Sequence, residues 1–279
     1  MRIALFGLGL IGSVWARHWR ADGHALTTWN RTPQPDAPGF TADAAQAVQD
    51  AEVVAIVVSD GAAVSAVLDR ILPHLAPGAV VCQHSTIGRD ETLASSLRVA
   101  AAGGRFLDMP FTGSKGAAED RTVVWYVGGA AADLARVEAA YAPLARRLLP
   151  VGEIGQATAL KLAMNLNIAG VFQALCEALA TARAAGVPRE AFWAALDLNV
   201  GRSGLVDLKR PKLDAGDWSP HFALKHLRKD LGLALALAGD LGLDLAQTVT
   251  AEARCRQAEA RGLGDCDFAA LAELPGARP

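Results

Sequence analysis

Cysteine, histidine and lysine are scarce in this chain, and each scarcity removes a class of explanation. Among the 279 residues the four cysteines, Cys82, Cys176, Cys255 and Cys266, lie far apart with no CxxC pair. Neither a zinc site of the usual spacing nor a thioredoxin-type redox pair is therefore written here, and a reduced, cytoplasmic compartment is expected. The six histidines, His18, His24, His74, His84, His221 and His226, form no HxxxH or HExxH element, so no metal is expected. An excess of one charge sign is also missing: 27 basic residues face 29 acidic ones for a net of -2. That leaves no overall positive field for a polyanion. No uninterrupted apolar run approaches the ~20 residues that span a bilayer, and the Leu/Ala-rich stretch from Leu231 to Ala246 is broken by Asp240 and Asp244. Nucleic acid and membrane are thus not expected partners. Met1 to Ala16 has the basic start and apolar middle of a secretory signal, a reading that the loop described next displaces.

What the chain has is apolar mass, 52% hydrophobic against 20% charged, which excludes intrinsic disorder. At roughly 150 residues per domain, its length gives about two domains. The first half alternates short β-branched runs (Arg2 to Gly7, Ala25 to Trp29, Val53 to Val58, Ala79 to Cys82, Arg105 to Met109, Val123 to Val127) with alanine-rich periodic stretches (Gly12 to Ala21, Ala42 to Val48, Ala62 to Leu75, Asp90 to Ala102). Such alternation predicts a Rossmann-type, doubly wound parallel sheet covered on both faces, over residues 1-154. After about Leu149 the strands disappear. Gly155 opens a helical run to Ala185, stopped by Gly186-Val187-Pro188, and Arg189 to Leu198, Phe222 to Leu241 and Ala246 to Arg261 also read as helices. Residues 155-279 are therefore expected to form an all-α domain joined through a long helix, and that helix surface is expected to support a homodimer or homotetramer. Asp265 and Asp267 are expected to cap the last short helix.

Gly7-Leu8-Gly9-Leu10-Ile11-Gly12 fits G-x-G-x-x-G. A glycine hexapeptide alone says little, but this one follows an apolar strand, opens a helix and precedes a second strand, the context of a dinucleotide site. The first two glycines let the backbone approach a pyrophosphate, Gly12 allows close helix packing, and the helix N-terminus offers N–H groups to the phosphates. At the end of the second strand, where an NAD site places an acid for the ribose 2′-hydroxyl, the chain reads Trp29-Asn30-Arg31-Thr32. Arg31 can grip a 2′-phosphate, with Asn30 and Thr32 as further donors, which favours NADP(H) over NAD(H). The competing reading of Arg31 is a solvated loop residue.

Only 6 of the 27 basic residues are lysines, so Lys161 in an apolar helix draws notice, with Asn165 four residues on and on the same face. By spacing alone such a pair is either a catalytic face or an exposed helix edge. Lys225, Arg228 and Lys229 read equally as a solvated face.

Five segments together resemble the β-hydroxyacid dehydrogenase family, the 3-hydroxyisobutyrate dehydrogenases and glyoxylate/succinic semialdehyde reductases. They are the Gly7 to Gly12 loop, Ser85-Thr86-Ile87, Asp108 to Ala117 (DMPFTGSKGA), the helix with Gly152, Gly155, Lys161 and Asn165, and Phe222 to Leu231 (FALKHLRKDL). The resemblance implies that Lys161 is the general acid, protonating a carbonyl oxygen as hydride arrives, and that Asn165 orients the substrate or Lys161. It implies that Thr112, Gly113 and Ser114 hold the carboxylate of a small substrate. Thr112 departs from the family's usual serine and adds a methyl. By the same resemblance Thr86 lies by the nicotinamide, Val58, Ser59 and Asp60 pass over the adenosine half, Phe222 and Asp230 help close the site, and Lys229 reaches the cofactor. The Gly113-Ser114-Lys115 order leans toward semialdehyde reduction. Two rivals stand beside this reading. One is an imine reductase on the same scaffold, in which Asp or Tyr usually replaces the lysine; the other is a catalytically silent cofactor-binding scaffold.

Overall fold

Runs of four or five apolar residues, too short for a helix that buries a full face, build the first layer. In the computed structural model, which describes residues 1–274, the chain opens with β1 (Arg2–Phe6), α1 (Gly12–Ala21), β2 (Ala25–Trp29), α2 (Ala44–Val48), β3 (Val53–Ile56), α3 (Gly61–Ile71), β4 (Val80–Gln83), α4 (Arg89–Ala101) and β5 (Arg105–Asp108). These five strands are parallel, in the order β2-β1-β3-β4-β5. Period-two geometry sends alternate side chains to opposite faces. Ile3, Leu5, Val53, Ala55, Val80 and Cys82 pack on one face with Val14, Trp15 and Trp19 of α1. Ala4, Phe6, Val54, Ile56 and Val81 pack on the other with Ala47, Val64, Leu68 and Val99 of α2, α3 and α4.

The expected Rossmann-type sheet is parallel over these five strands and becomes mixed past β5. Only Met109 and Pro110 separate β5 from β6 (Phe111–Thr112), and a parallel crossover needs a dozen or more residues. β6 therefore keeps the direction of β5. After α5 (Lys115–Glu119), β7 (Val123–Gly128) returns antiparallel to both. α6 (Ala131–Tyr141) then carries the chain to β8 (Ala145–Gly152), parallel to β7. Residues 145–152 are mostly exposed and include Arg146, Arg147 and Pro150, the composition of a protected edge strand. Its weak apolar signal is why strands seemed to stop near Leu149.

A polar chain crosses the aromatic core of this unit. The carbonyl of Met109 accepts from Nδ1 of the buried His84 (2.7 Å), which leaves Nε2 to accept from the Tyr141 hydroxyl (2.8 Å). The Cys82 thiol is hydrogen-bonded to the same hydroxyl, and burial pushes it up to about 12. Trp15, Trp125 and Tyr141 ring the imidazole with centroids 5.1–6.3 Å away. Burial pushes His84 down to about 4, so it folds neutral and is a structural residue of the core.

Helix α7 (Gln156–Ala184) begins on an unusual cap. Asp108, fully buried at the end of β5, accepts from the backbone N–H of Gly155 (2.9 Å) and of Thr158 (2.9 Å) and from the Thr158 hydroxyl (2.7 Å). Thr158 bonds in turn to Thr92 of α4 (2.9 Å). A carboxylate 47 residues away in sequence thus does what an N-cap side chain does locally. Burial raises the Asp108 pKa, and the hydrogen bonds from Thr158 and Gly155 work against that rise.

The chain divides into compact units at Met1–Lys161 and from Leu162 onward. In the second, the remainder of α7 joins α8 (Arg189–Asp197), α9 (Gly204–Ala215), α10 (Leu224–Asp240) and α11 (Ala246–Ala260), with a short 3₁₀ turn over Phe268–Glu273. By length and mean hydropathy α7 would pass for a membrane span, although no run in its sequence is unbroken. Its Ala169, Phe172, Leu175 and Cys176 are buried with Leu224, Leu227 and Leu231 of α10 in the helical core. Helix α9, interrupted by Pro211, had no clear signature in the sequence. Asp267 caps the 3₁₀ turn through Ala269 N (3.0 Å) and accepts from His221 N, Phe222 N and the buried Lys209 ammonium. Burial alone would raise its pKa, but Lys209 and the Ala269 and Phe222 N–H groups together hold the carboxyl below its usual range. Asp265 is no cap: it is exposed and paired with Lys225.

Two outcomes follow. With a folded pKa of about 4 against an ordinary 6.5, the unfolded chain binds the extra proton on His84 below pH 6.5. Stability is therefore full above pH 6.5 and falls by about 3 kcal/mol as the pH approaches 4. His84→Gln is expected to flatten this acid limb in Tm against pH, and an unchanged slope would assign the limb to other groups. Asp108→Ala strands two N–H groups and is expected to cost roughly 2 kcal/mol in urea unfolding. Asp108→Asn keeps one acceptor oxygen for them and should cost less than half as much; an Ala variant as stable as the parent refutes the clasp.

Candidate active site

The five parallel strands end at Phe6, Trp29, Ile56, Gln83 and Asp108, so the segments that follow share one edge of the sheet. The chain leaves β1 toward β2 on one side and returns to β3 on the other, which makes a crevice above β1. Residues 7–12, 30–32, 58–60 and 86 follow the first four of these strands directly, and β6 with Thr112 extends the fifth beyond the edge.

The glycine loop is locked at its ends and open in the middle. Gly7 has φ +110°, and a Cβ there would lie 2.1 Å from the Val57 carbonyl oxygen, while one on Gly12 would lie 1.9 Å from that of Gly7. Beside Gly9 nothing lies within 4 Å. Among the described residues the backbone N–H groups of Gly9, Leu10, Ile11 and Gly12 have no acceptor within the protein. Four converging donors at the positive end of α1, beside a position without a side chain, fit a pyrophosphate.

The Asn30 side chain is engaged within the protein. Its carbonyl oxygen accepts from Leu8 N (3.1 Å) and its amide donates to Thr32 O (2.8 Å), so it ties the glycine loop to the turn after β2. Arg31 and Thr32 are exposed. Arg31 lines a cleft of about 400 Å³ with Trp29, Asn30, Phe40, Asp43 and Arg70. After β3, Val58 N donates to the Ser85 hydroxyl (2.8 Å), Ser59 donates to Asp60 (2.7 Å), and Asp60 caps α3 through Ala63 N (2.8 Å). Asp60 therefore holds its own helix, and Ser85, next to Thr86, joins the β3 and β4 ends.

Thr112, Gly113 and Ser114 form the turn between β6 and α5, and the Thr112 side chain is hydrogen-bonded to Tyr126, whose hydroxyl burial pushes up. Lys161 is half-buried in the second turn of α7, three residues after Thr158. The Asp108 clasp therefore fixes the turn from which Lys161 projects. The sequence carries one signal for Asp108, an acid that closes the strand Arg105–Asp108 after Phe106 and Leu107.

In the C-terminal unit, Asn165 is 1% exposed and donates to Asp230 (2.6 Å), which is 2% exposed and 3.0 Å from the Lys229 ammonium. Three predicted residues thus come together. Phe222, in the same unit, packs against the Phe268 ring at 6.0 Å. Lys225 and Arg228 are committed to Asp265 and to Glu252 and Glu259, the surface role that their charge pattern allowed. Among the described residues no group of three His, Cys, Asp or Glu is arranged to hold a metal.

Residues 2–152 match the NAD binding domain of 6-phosphogluconate dehydrogenase, and residues 155–274 match the NAD-binding domain of NADP-dependent 3-hydroxyisobutyrate dehydrogenase. The glyoxylate/succinic semialdehyde reductase 1 of Arabidopsis thaliana is 28% identical over 98% of both chains. The cytokine-like nuclear factor N-PAC of Mus musculus is 26% identical, and the chain spans about half of its length. Among solved structures, a Mycobacterium tuberculosis 3-hydroxyisobutyrate dehydrogenase with L-serine superposes at TM-score 0.91, 23% identical over 99% of this chain and 100% of that one. With the glycine loop, the mixed Rossmann sheet and the helical unit all in place, the chain belongs to the 3-hydroxyisobutyrate dehydrogenase-like β-hydroxyacid dehydrogenase family and is an NAD(P)-binding oxidoreductase.

Proposed function

We propose that the protein is an NADP(H)-dependent reductase of small carboxylate-bearing aldehydes, with Lys161 as the proton donor. The observation that carries the cofactor half is the set of four unpaired N–H groups at Gly9 to Gly12, with a guanidinium and no ribose-binding acid at the end of β2. Asp43 does line the cleft beyond, but its carboxylate caps α2 through Ala45 N (2.9 Å). The cofactor supplies the hydride when bound. Gly7 and Gly12 set the loop close to α1, the loop N–H groups bind the pyrophosphate, and Arg31 pairs with the 2′-phosphate.

Thr112 and Ser114 hold the substrate carboxylate through their hydroxyls. Lys161 Nζ donates its proton to the carbonyl oxygen as the carbon is reduced; in the reverse direction it takes the proton from the hydroxyl. Asn165, one helical turn beyond Lys161 on α7, is held by Asp230. The retained lysine separates this reading from an imine reductase and from a silent scaffold.

Lys161→Ala is expected to lower kcat by about 10²–10⁴-fold while NADPH binding, followed by nicotinamide fluorescence, changes little. The assay is NADPH oxidation with glyoxylate, succinic semialdehyde and methylmalonate semialdehyde, with a cyclic imine as the control. Undiminished turnover in the variant refutes the role of Lys161, and turnover of the imine alone refutes the substrate class. Arg31→Asp is expected to weaken NADPH by roughly tenfold or more and to leave NADH unchanged or improved; equal weakening of both would refute 2′-phosphate recognition by Arg31.

A further inference from the structure

The cleft beyond β2 holds a second cation that neither the glycine motif nor the Trp29 to Thr32 turn announces. Arg70 projects from the last turn of α3, and its guanidinium carbon lies 5.8 Å from the centroid of the Trp29 indole. The indole is itself fixed, by Nε1 donating to the Ala42 carbonyl (3.2 Å) and by the Phe6 ring at 6.0 Å. Arg70 therefore lines the same cleft as Arg31. Among the described residues neither arginine has an ion-pair partner. Asp69, the acid beside Arg70, is bonded to Arg98. Asp43 is the one acid of the lining, so two guanidiniums face a single carboxylate already engaged at α2. The cleft volume, about 400 Å³, falls in the range of small-ligand sites.

Two arginines left without carboxylates in one cleft, with an aromatic wall, present a site for a phosphomonoester beside a planar base. The cleft shares Asn30 with the pyrophosphate loop, because the Asn30 side chain holds Leu8 N. An anion there lies where the second strand reads the ribose 2′ position. We propose that Arg70 is a second specificity-determining residue, which closes with Arg31 on the 2′-phosphate of NADP(H). This rests on the NADP(H) reading above and adds to it a residue from α3, some forty positions from the motif.

The test is calorimetric binding of 2′,5′-ADP and 5′-AMP to the full chain and to Arg70→Ala and Arg70→Lys. Arg70 is exposed, so these variants are expected to fold, with Tm as the check. The parent should bind 2′,5′-ADP about tenfold or more tightly than 5′-AMP. Arg70→Ala should lose about tenfold for 2′,5′-ADP and less than twofold for 5′-AMP, and Arg70→Lys should recover part of the loss. A parent that does not prefer 2′,5′-ADP overturns the NADP(H) reading itself. A parent that does, with Arg70→Ala unchanged or weakened equally for both nucleotides, overturns the role of Arg70 and leaves that reading standing.

Discussion

The Asp108 carboxylate is the constraint on which the arrangement of the chemistry depends. It ends the last parallel strand, and its two oxygens take up the first donors of α7, at Gly155 and Thr158. A buried carboxylate is costly to desolvate, and here part of that cost is offset by three hydrogen bonds and the positive end of a 29-residue helix. The consequence is positional. The strand that leads into the Thr112 to Ser114 turn and the helical turn that bears Lys161 share one joint, so a single contact sets both segments.

The same economy appears elsewhere at the sheet edge. Asn30 spends its side chain on the glycine loop, Asp60 on α3, and Ser85 on Val58 N. Polar residues that a motif would assign to the ligand hold the backbone that meets the ligand. The groups left over for recognition are the loop N–H groups and a few cations. A chain of net charge -2 has no overall positive field, so on the proposed reading anion recognition is local, built from backbone dipoles and single guanidiniums.

Much of this was legible in the sequence. The glycine loop was readable because it is a contiguous signal with a steric cause: two of its three glycines have no room for a side chain. The strands of the parallel half announced themselves because they are buried on both faces and hence continuously apolar. β8 was silent because an edge strand with arginines and a proline has no such need. Pro211 masks helix α9 in the sequence, and an exposed acid near a helix start, such as Asp265, looks the same in sequence whether it caps or pairs with Lys225.

The sequence by itself determined the fold class, the cofactor loop and the lysine-bearing helix, since each rests on local periodicity or on a run of neighbouring residues. Tertiary structure alone decided which polar groups remain free to act. Asp108 meets α7 across 47 positions, Asn165 meets Asp230 across 65, and Arg70 meets Trp29 across the β2–α3 cleft. A hydrogen bond or a cation over a ring is a matter of distance in space, and no pattern along the chain encodes it.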